Sequence, residues 1–513
     1  MDTSLEDDET GDPIARLART RFKIDFLYPL QRMAIANVLD AEDSPDPIRQ
    51  MVLFPTGFGK SICFQLPALV TVGLTVVVYP LLALMSDQRH SLDGRKIANV
   101  LLRGAMTEEE WTQAQRMLDT KSAQIVVTNP ETLEQPRVQK LLLRNKVFHL
   151  AVDEAHCVSE WGETFRPSYL KLKNAIEALE PRVISAYTAT ASPAVEKAIA
   201  KHLFGESPYR IVTTDIDKPN IIYRVEQTME PIHTLLRLVN TKPKPLIVFD
   251  QSRDEVRLLC ETIHQRTNLD VRFYHAGLSR AEKETIETWF MGSEDGVLVS
   301  TCAYGMGVDK RNIRTVIHFR EPPSVEAYIQ ESGRAGRDGS IAEAILIHRD
   351  KEQEHKDSTV RNLDKCTTGN TEACNNPPET REQRRLAFLE YARSSSCRRR
   401  YLLKLMGQDL DSPCSGCDVC FGESARYPEG YSELYEFFSK NQNRFSYAES
   451  LRLLCLDDAR SFVGNTPTCA GAGILSSWNK EDARVLLDVA IGRGLVVSNR
   501  KFPWKDRLCL HLT

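Results

Sequence analysis

The chain has 513 residues, of which 42% are hydrophobic and 27% charged, and its formal net charge is −4. That length suggests about three to four domains of ordinary globular composition, and the acidic balance argues against a simple, uniformly basic nucleic-acid binder. No run of about 20 apolar residues appears, so no membrane span is expected, and 13 cysteines without a secretory leader point to a reducing, intracellular setting.

Met1 to Pro13 carries Asp2, Glu6, Asp7, Asp8, Glu9 and Asp12 and no base. It reads as a solvated acidic tail over 1–20, not a signal peptide. From Met51 to about Ile347, short apolar runs alternate with helical patterns. The runs are Met51–Phe54, Thr75–Tyr79, Gln124–Val127, Phe148–Val152, Val183–Ala186, Leu246–Phe249, Val271–Tyr274, Gly296–Ser300, Thr315–His318 and Ala344–Ile347. Continuous apolar runs suit parallel strands buried on both faces, and their alternation with helices predicts doubly wound α/β architecture. Asp215–Asn220 has linker character and divides a first lobe, 21–214, from a second, 215–350. Asn362 to Arg381 reads as a polar surface loop.

Between Arg381 and Lys404 lie Arg381, Arg384, Arg385, Arg393, Arg398, Arg399, Arg400 and Lys404, against Glu382 and Glu390. Such a run is either a solvated helix face or a phosphate-contacting one. It enters a cysteine-containing module, 351–425. The last segment, 426–513, shows helical patterns around Tyr447–Leu456 and Lys480–Gly492. It ends in two apolar runs, Leu495–Val497 and Leu508–Leu512, that read as a β-hairpin.

Three motifs carry chemistry. Phe54-Pro-Thr-Gly-Phe-Gly-Lys-Ser61 follows a strand and precedes a helical pattern. Gly57 and Gly59 allow backbone N–H groups to turn toward phosphate oxygens, with Thr56 in the same loop. Lys60 brings a full charge to the β- and γ-phosphates, and the Ser61 hydroxyl can bind Mg²⁺. A chance turn in a strand–loop–helix unit is the competing reading. Second, Phe148–Val152 ends in Asp153-Glu154-Ala155-His156, which puts carboxylates at the crevice edge of an open sheet. Asp153 can hold Mg²⁺ and Glu154 can orient and deprotonate a water; alone, the pair also fits the start of a helix. Third, Gln330-Glu-Ser-Gly-Arg-Ala-Gly-Arg337 offers Arg334 and Arg337 as fingers for transition-state charge, or an ordinary surface pair. Cys397, Cys414, Cys417 and Cys420 form Cys-x₁₆-Cys-x₂-Cys-x₂-Cys, suited to a tetrahedral Zn²⁺ or to an iron–sulfur cluster.

These motifs together resemble superfamily 2 helicases, and specifically the RecQ family of DNA helicases, from about Phe22 to Cys420. Tyr79 to Gln88, Thr128 to Glu131, Thr188 to Ala191, Ile247 to Arg253, Tyr274 to Leu278 and Ser300 to Asp309 resemble further motifs of that family. His156 to Tyr169 resembles its aromatic-rich loop, in which Trp161, Phe165 and Arg166 are the matching DNA-contact residues. The family pattern usually has Gln, His and Asp where this chain has Glu160, Glu163 and Thr164. Phe22 to Gln31 resembles the adenine-reading motif, with Gln31 matching its glutamine; Ile24 stands at the family's stacking aromatic position and Tyr28 at its arginine, so Tyr28 can supply the ring.

The resemblance implies two RecA-like doubly wound lobes, a small helical zinc-binding module and a C-terminal winged-helix-like domain. It favours structural zinc at the four cysteines, and makes Gln330 part of the catalytic motif. It implies ATP and Mg²⁺ as cofactors, and single-stranded, forked and duplex DNA as partners. Arg398, Arg399 and Arg400 become candidate phosphate contacts. Phe502 and Trp504, among Arg500, Lys501, Lys505 and Arg507, become candidates for capping a duplex end at the wing. The further helical DNA-binding domain frequent in the family is not expected. The implied activity is 3′→5′ unwinding by a monomer in DNA repair or recombination, in a nucleus or bacterial nucleoid. The alternatives are a translocase that does not separate strands, or an annealing protein.

Overall fold

The computed structural model describes residues 12–55, 57–160, 167–169, 171–304, 310–349, 381–410, 412–456 and 469–511. Thr56, Trp161, Glu163, Thr164, Phe165 and Arg166, the 305–309 part of the Ser300–Asp309 motif, and the polar loop up to 380 lie outside them. The described residues form two compact units, one from the chain up to Lys218 and one from Pro219 onward, with the C-terminal chain from Glu382 in the second unit.

The first unit is a seven-stranded, wholly parallel sheet in the order β3-β4-β2-β5-β6-β1-β7. Its strands are β1 Ile48–Leu53, β2 Leu74–Val78, β3 Asn99–Leu101, β4 Ile125–Thr128, β5 Val147–Val152, β6 Val183–Thr188 and β7 Arg210–Thr213. Both faces are covered. Val76, Val126, Leu150 and Ile184 pack into one apolar cluster, while Val77, Val127, Ala151 and Tyr187 pack into another. That two-sided burial is why the strands read as unbroken apolar runs. Because all strands are parallel, the segments leaving β5, β6 and β1, which are neighbours in the sheet, emerge side by side on one edge.

A polar chain crosses this otherwise apolar core. Asn37 Nδ2 donates to Gln50 Oε1 at 3.0 Å, Gln50 Nε2 donates to Ser185 Oγ at 3.0 Å, and Ser185 Oγ meets His149 Nε2 at 2.8 Å. All four residues are buried. Complete burial pulls the His149 imidazole down to about 3, well below the ordinary histidine value.

The second unit is a six-stranded parallel sheet, β10-β11-β9-β12-β13-β8. Its strands are β8 Ile221–Thr228, β9 Leu246–Phe249, β10 Val271–Tyr274, β11 Val297–Ser300, β12 Thr315–His318 and β13 Ala342–Arg349. β8 is an edge strand whose unpaired backbone would attract another chain if left open. Here the later chain covers it. Tyr223 bridges Cys417 and Thr228 bridges Glu429, both in parallel sense. The Asp418 carboxylate accepts from Val225 N at 3.0 Å, and Asp418 N donates to Tyr223 O at 3.1 Å.

Two helices, Arg381–Arg393 and Arg398–Leu405, lead into that contact. Here the structure corrects the expectation of phosphate contacts at Arg398 and Arg399: each is 1% exposed. Arg398 Nε pairs with Asp418 Oδ1 at 3.0 Å, and its Nη1 donates to the carbonyls of Tyr391 at 2.7 Å and Ser394 at 2.6 Å. Arg399 donates to the Ile221 carbonyl of β8 and lies over the Tyr223 ring. Both guanidiniums satisfy internal acceptors, leaving Arg400 as the exposed member of the triplet.

The C-terminal segment has the helices Tyr431–Lys440, Tyr447–Leu454 and Lys480–Gly492, then the antiparallel hairpin β14 Val496–Ser498 and β15 Leu508–Leu510. Its core includes Leu434, Phe437, Leu486 and Val496, and also Met229 from the chain just after β8. Arg266 Nη1 pairs with buried Asp482 at 2.8 Å, and the His233 ring stacks on Trp478 at 3.6 Å. The segment is therefore packed onto the second sheet's own helices.

His149 stays neutral when folded but titrates near 6.5 when unfolded, so its contribution is fully present above that value and declines as pH falls toward 3. Between pH 7 and pH 5 it should account for a loss of about 2 kcal/mol, measured by urea unfolding; the loss should be smaller in His149→Gln, and an equal loss would refute the assignment. Arg398→Ala strands Asp418 in the core and should cost about 3–5 kcal/mol, seen as a lowered thermal midpoint. A midpoint equal to that of the parent chain would show the pair to be dispensable.

Candidate functional site

The phosphate loop leaves β1 where Phe54 N donates to the Thr188 carbonyl of β6 at 3.1 Å. Gly57 and Gly59 both have left-handed backbone, with φ of +85° and +82°, so the loop's path depends on residues without a Cβ. A Cβ on Gly59 would also lie 2.7 Å from Gln31 Nε2. After Ser61 the α-helix lasts one turn, Ile62–Gln65, before Pro67 opens a 3₁₀ turn. Proline lacks the N–H that a longer helix would need at that point. Lys60 Nζ donates to the Phe54 carbonyl at 3.4 Å, so the ammonium lies back across its own loop.

Asp153 and Glu154 leave β5 on the same edge. Asp153 is buried, and burial followed by the neighbouring Glu154 carboxylate pushes it up to about 6, with Lys60 opposing. Asp153 and Lys60 therefore share one electrostatic environment. Glu154 is held in left-handed backbone, φ +48°, a conformation a non-glycine residue adopts at a cost. Its Oε2 lies 3.4 Å from His156 Nδ1, which contacts Thr188 Oγ1 at 2.9 Å; Thr188 Oγ1 donates to the Thr190 carbonyl at 3.1 Å. The His156–Thr188 contact thus ties the acidic motif to the Thr188–Ala191 segment. The sequence reading named both motifs and missed the contact, because β5 and β6 become neighbours only in the sheet.

Gln31 sits in the helix Pro29–Leu39, buried against the phosphate loop. Its Nε2 donates to the Phe58 carbonyl at 2.7 Å and its Oε1 accepts from Tyr28 N at 3.0 Å. Ile24 packs into the apolar cluster beneath the sheet. Tyr28 remains 51% exposed and stacks on Phe58, with ring centroids 4.9 Å apart and planes 25° from parallel.

In the second unit, Gln330 lies on the helix Val325–Ser332, and Arg334 and Arg337 occupy the turn beyond it. Arg334 is buried and Arg337 half-buried. Gly336 fixes this turn. Its φ is +57°, and a Cβ there would lie 2.5 Å from Asn220 Nδ2 and 2.6 Å from the Ser340 carbonyl. Asn220 Nδ2 donates to the Gly336 carbonyl at 2.8 Å. Burial pushes the Tyr304 phenol up, while Arg334 and Arg337 pull it down, so both arginines act electrostatically on that buried ring.

The four cysteines converge. The sulfurs of Cys397, Cys414, Cys417 and Cys420 all lie within 4.8 Å of one another. A Zn–S bond of about 2.3 Å requires tetrahedral sulfurs about 3.8 Å apart, so this donor set fits zinc with little movement. Cys397 immediately precedes the helix that holds Arg398, and Asp418 lies between Cys417 and Cys420. Asp418 was missed from sequence; its position inside the Cys-x₂-Cys pair, opposite a run of arginines, was the available signal. At the hairpin, Phe502 is 94% exposed and Trp504 51% exposed, so neither plugs the domain's core. Arg507, by contrast, pairs with Glu449. Among the described residues no helix is long and apolar enough to cross a membrane.

Comparison with known proteins places these features together. Residues 28–198 match the DEAD/DEAH box helicase family, 229–339 the helicase conserved C-terminal domain, and 342–421 the RecQ zinc-binding family. The chain is 35% identical over 379 residues to the ATP-dependent DNA helicase RecQ of Haemophilus influenzae, covering 74% of this chain and 59% of that protein. It is 32% identical over 474 residues to the ATP-dependent DNA helicase hus2/rqh1 of Schizosaccharomyces pombe, covering 87% and 34%. The chain thus spans about six-tenths of the length of the bacterial relative and a third of the yeast one. Among solved structures, the DEAD-box helicase Mss116 bound to ssRNA and UDP-BeF aligns with a TM-score of 0.53 at 19% identity, over 77% of this chain and 88% of that one. The helicase MrfA bound to DNA aligns with a TM-score of 0.51 at 23% identity, over 67% and 52%; at these identities the likeness concerns the fold. With both helicase domains followed by the four-cysteine module in one chain, and relatives at this identity, the chain belongs to the RecQ family.

Proposed function

We propose that the chain is an ATP-dependent 3′→5′ DNA helicase that couples nucleotide hydrolysis to movement along single-stranded DNA and to opening of forked duplex. The observation that carries the reading is the neighbourhood of the phosphate loop, Asp153-Glu154 and Thr188 at the ends of three adjacent parallel strands. In it, Gly57, Gly59 and Lys60, with Thr56, cradle the phosphates, and Glu154 orients and deprotonates the attacking water. Bound Mg²⁺, held by Ser61 and by Asp153 through water, would neutralise charge on the β- and γ-phosphates. Gln330 helps place the γ-phosphate, and Arg334 and Arg337 stabilise the charge that develops on it. The path through His156 to Thr188 gives the acidic motif a mechanical link to the segment that follows β6.

DNA engages through stacking on Trp161 and Phe165 beside Arg166, through phosphate contact at Arg400, and at the hairpin through Phe502 and Trp504. Zinc at the four cysteines has a structural role: it locks the module that covers β8. The protein acts intracellularly as a monomer, in DNA repair or recombination.

Lys60→Ala should abolish DNA-stimulated ATP hydrolysis with an unchanged thermal midpoint; normal hydrolysis by that variant would remove the site assignment. The double substitution Phe502→Ala, Trp504→Ala should reduce unwinding of a forked duplex by about tenfold, in line with the loss of one base-stacking contact, while single-strand-stimulated ATPase persists. Unwinding at the parent rate would exclude the hairpin as the strand-separating element. A parent chain with stimulated ATPase and no unwinding would instead mark a translocase.

A further inference from the structure

The turn that carries Arg334 and Arg337 is held from outside its own helix. Gly336 N donates to the Ile313 carbonyl at 2.9 Å, and Asp338 N donates to the Arg311 carbonyl at 3.2 Å. Arg314 Nη1 donates to Asp338 Oδ1 at 3.0 Å, and that oxygen also accepts from Ser340 N at 3.0 Å. These contacts come from the short segment that leads into β12. One further side chain arrives from far away in the sequence. Asn220 Nδ2 donates to the Gly336 carbonyl at 2.8 Å and to the Ser340 carbonyl at 2.9 Å, across 116 and 120 positions.

A carboxamide nitrogen carries two donors, and here each has a carbonyl to meet. The two carbonyls lie four residues apart, so the amide spans the turn directly beyond Ala335. The backbone of Asn220 is fixed as well. Ala342 N donates to its carbonyl at 3.0 Å, and the next residue, Ile221, stands opposite Ala342 where β8 and β13 begin to pair. The amide is thus referenced to the first rung of a sheet ladder. Just before it, between Lys218 and Pro219, one compact unit ends and the other begins. Asn220 therefore stands where the chain enters the second unit, bonded to the turn that bears both arginines.

We infer that Asn220 is a positioning residue for ATP hydrolysis: its amide sets Arg334 and Arg337 in place relative to the second sheet, at the point where the chain enters that unit. The inference rests on the reading of these arginines as fingers and deepens it. A group that stabilises developing charge works only from a fixed place, and a shift of about 1 Å can cost about 10²-fold in rate. Asn220 acts through the turn and not on the phosphates. Its effect falls on the transition state, where the arginines act, and leaves ground-state nucleotide binding to the first sheet.

Two variants of the full chain test this. Asn220→Asp keeps the shape but replaces the donating nitrogen with an oxygen; Asn220→Ala removes the group. Both should lower kcat for DNA-stimulated ATP hydrolysis by about 10- to 100-fold, with KM for ATP changed by less than about twofold. In calorimetric titrations ADP should bind both variants as it binds the parent chain. ADP with aluminium fluoride, a mimic of the phosphoryl group in transfer, should bind them at least about tenfold more weakly. In an Arg334→Ala, Arg337→Ala background, Asn220→Ala should lower the residual hydrolysis by less than about twofold, because residues that act as a unit are not additive. An asparagine that merely stabilises the fold would cut hydrolysis equally in both backgrounds, and that result would overturn the inference. A parent-like kcat in Asn220→Asp would overturn it too. Failure of the underlying reading shows differently, as parent-like hydrolysis by Lys60→Ala or by the double arginine variant itself.

Discussion

The open edge of β8 is the constraint on which the second half of the molecule turns. A parallel sheet must end somewhere, and its last strand presents backbone donors and acceptors on one side only. In this chain the Asp418 carboxylate meets Val225 N on that edge and Arg398 Nε on the other side of the module. One buried carboxylate thus joins the strand, the helix that starts after Cys397 and the turn that holds Cys417 and Cys420. A buried ion pair is weak evidence of stabilisation by itself, because desolvation offsets its Coulomb energy. Its value here is positional: with both ends also bonded to backbone, it accepts one register of the module on β8 and rejects others.

Glu429 extends the same logic. It bridges Thr228, and its carboxylate takes Arg237 Nε at 2.8 Å and Thr234 Oγ1 at 2.6 Å. The C-terminal helices begin directly beyond it. Together with Met229 in their core and the Arg266–Asp482 pair, this makes the hairpin-bearing segment an extension of the second sheet. A wing that is to act on DNA needs such a foundation, since force on an exposed ring transmits only through elements packed behind it.

The first sheet solves a different problem. One edge gathers the segments after β5, β6 and β1 by placing β6 between β1 and β5. The carboxylate pair, Lys60 and the threonine that receives His156 are each supplied by a different strand, so their spacing is set by the strand spacing of a parallel sheet. The polar chain through Asn37, Gln50, Ser185 and His149 crosses the same strands within the sheet. It ties the helix that carries Gln31 to β1 and β6, which gives that helix a fixed seat.

Much of this was legible in the residues. The ten apolar runs are strands; most are buried on both faces, which leaves no polar alternation to adopt, whereas β10, at a sheet edge, is half-buried and carries Arg272. β8 escaped the same search: it alternates in burial, as an edge strand does. β3 has three residues, and β7 is largely exposed. The four-cysteine spacing announced a metal site, since thiolates two apart on one turn can face one ion. The arginine triplet beside it misled, because charge in a sequence carries no sign of direction; a guanidinium turns inward when a buried carboxylate and free carbonyls await it, and Asp418, Tyr391 and Ser394 supply them. The phosphate-loop and four-cysteine motifs were readable because each depends on residue types a few positions apart. Folding was needed for His156 to meet Thr188, for Gln31 to hold the Tyr28–Phe58 stack, and for Arg398 and Asp418 to close the β8 edge. Apart from the bond between Gln31 and Tyr28, those contacts join residues from 20 to 193 positions apart, and only packing brings them within bonding distance.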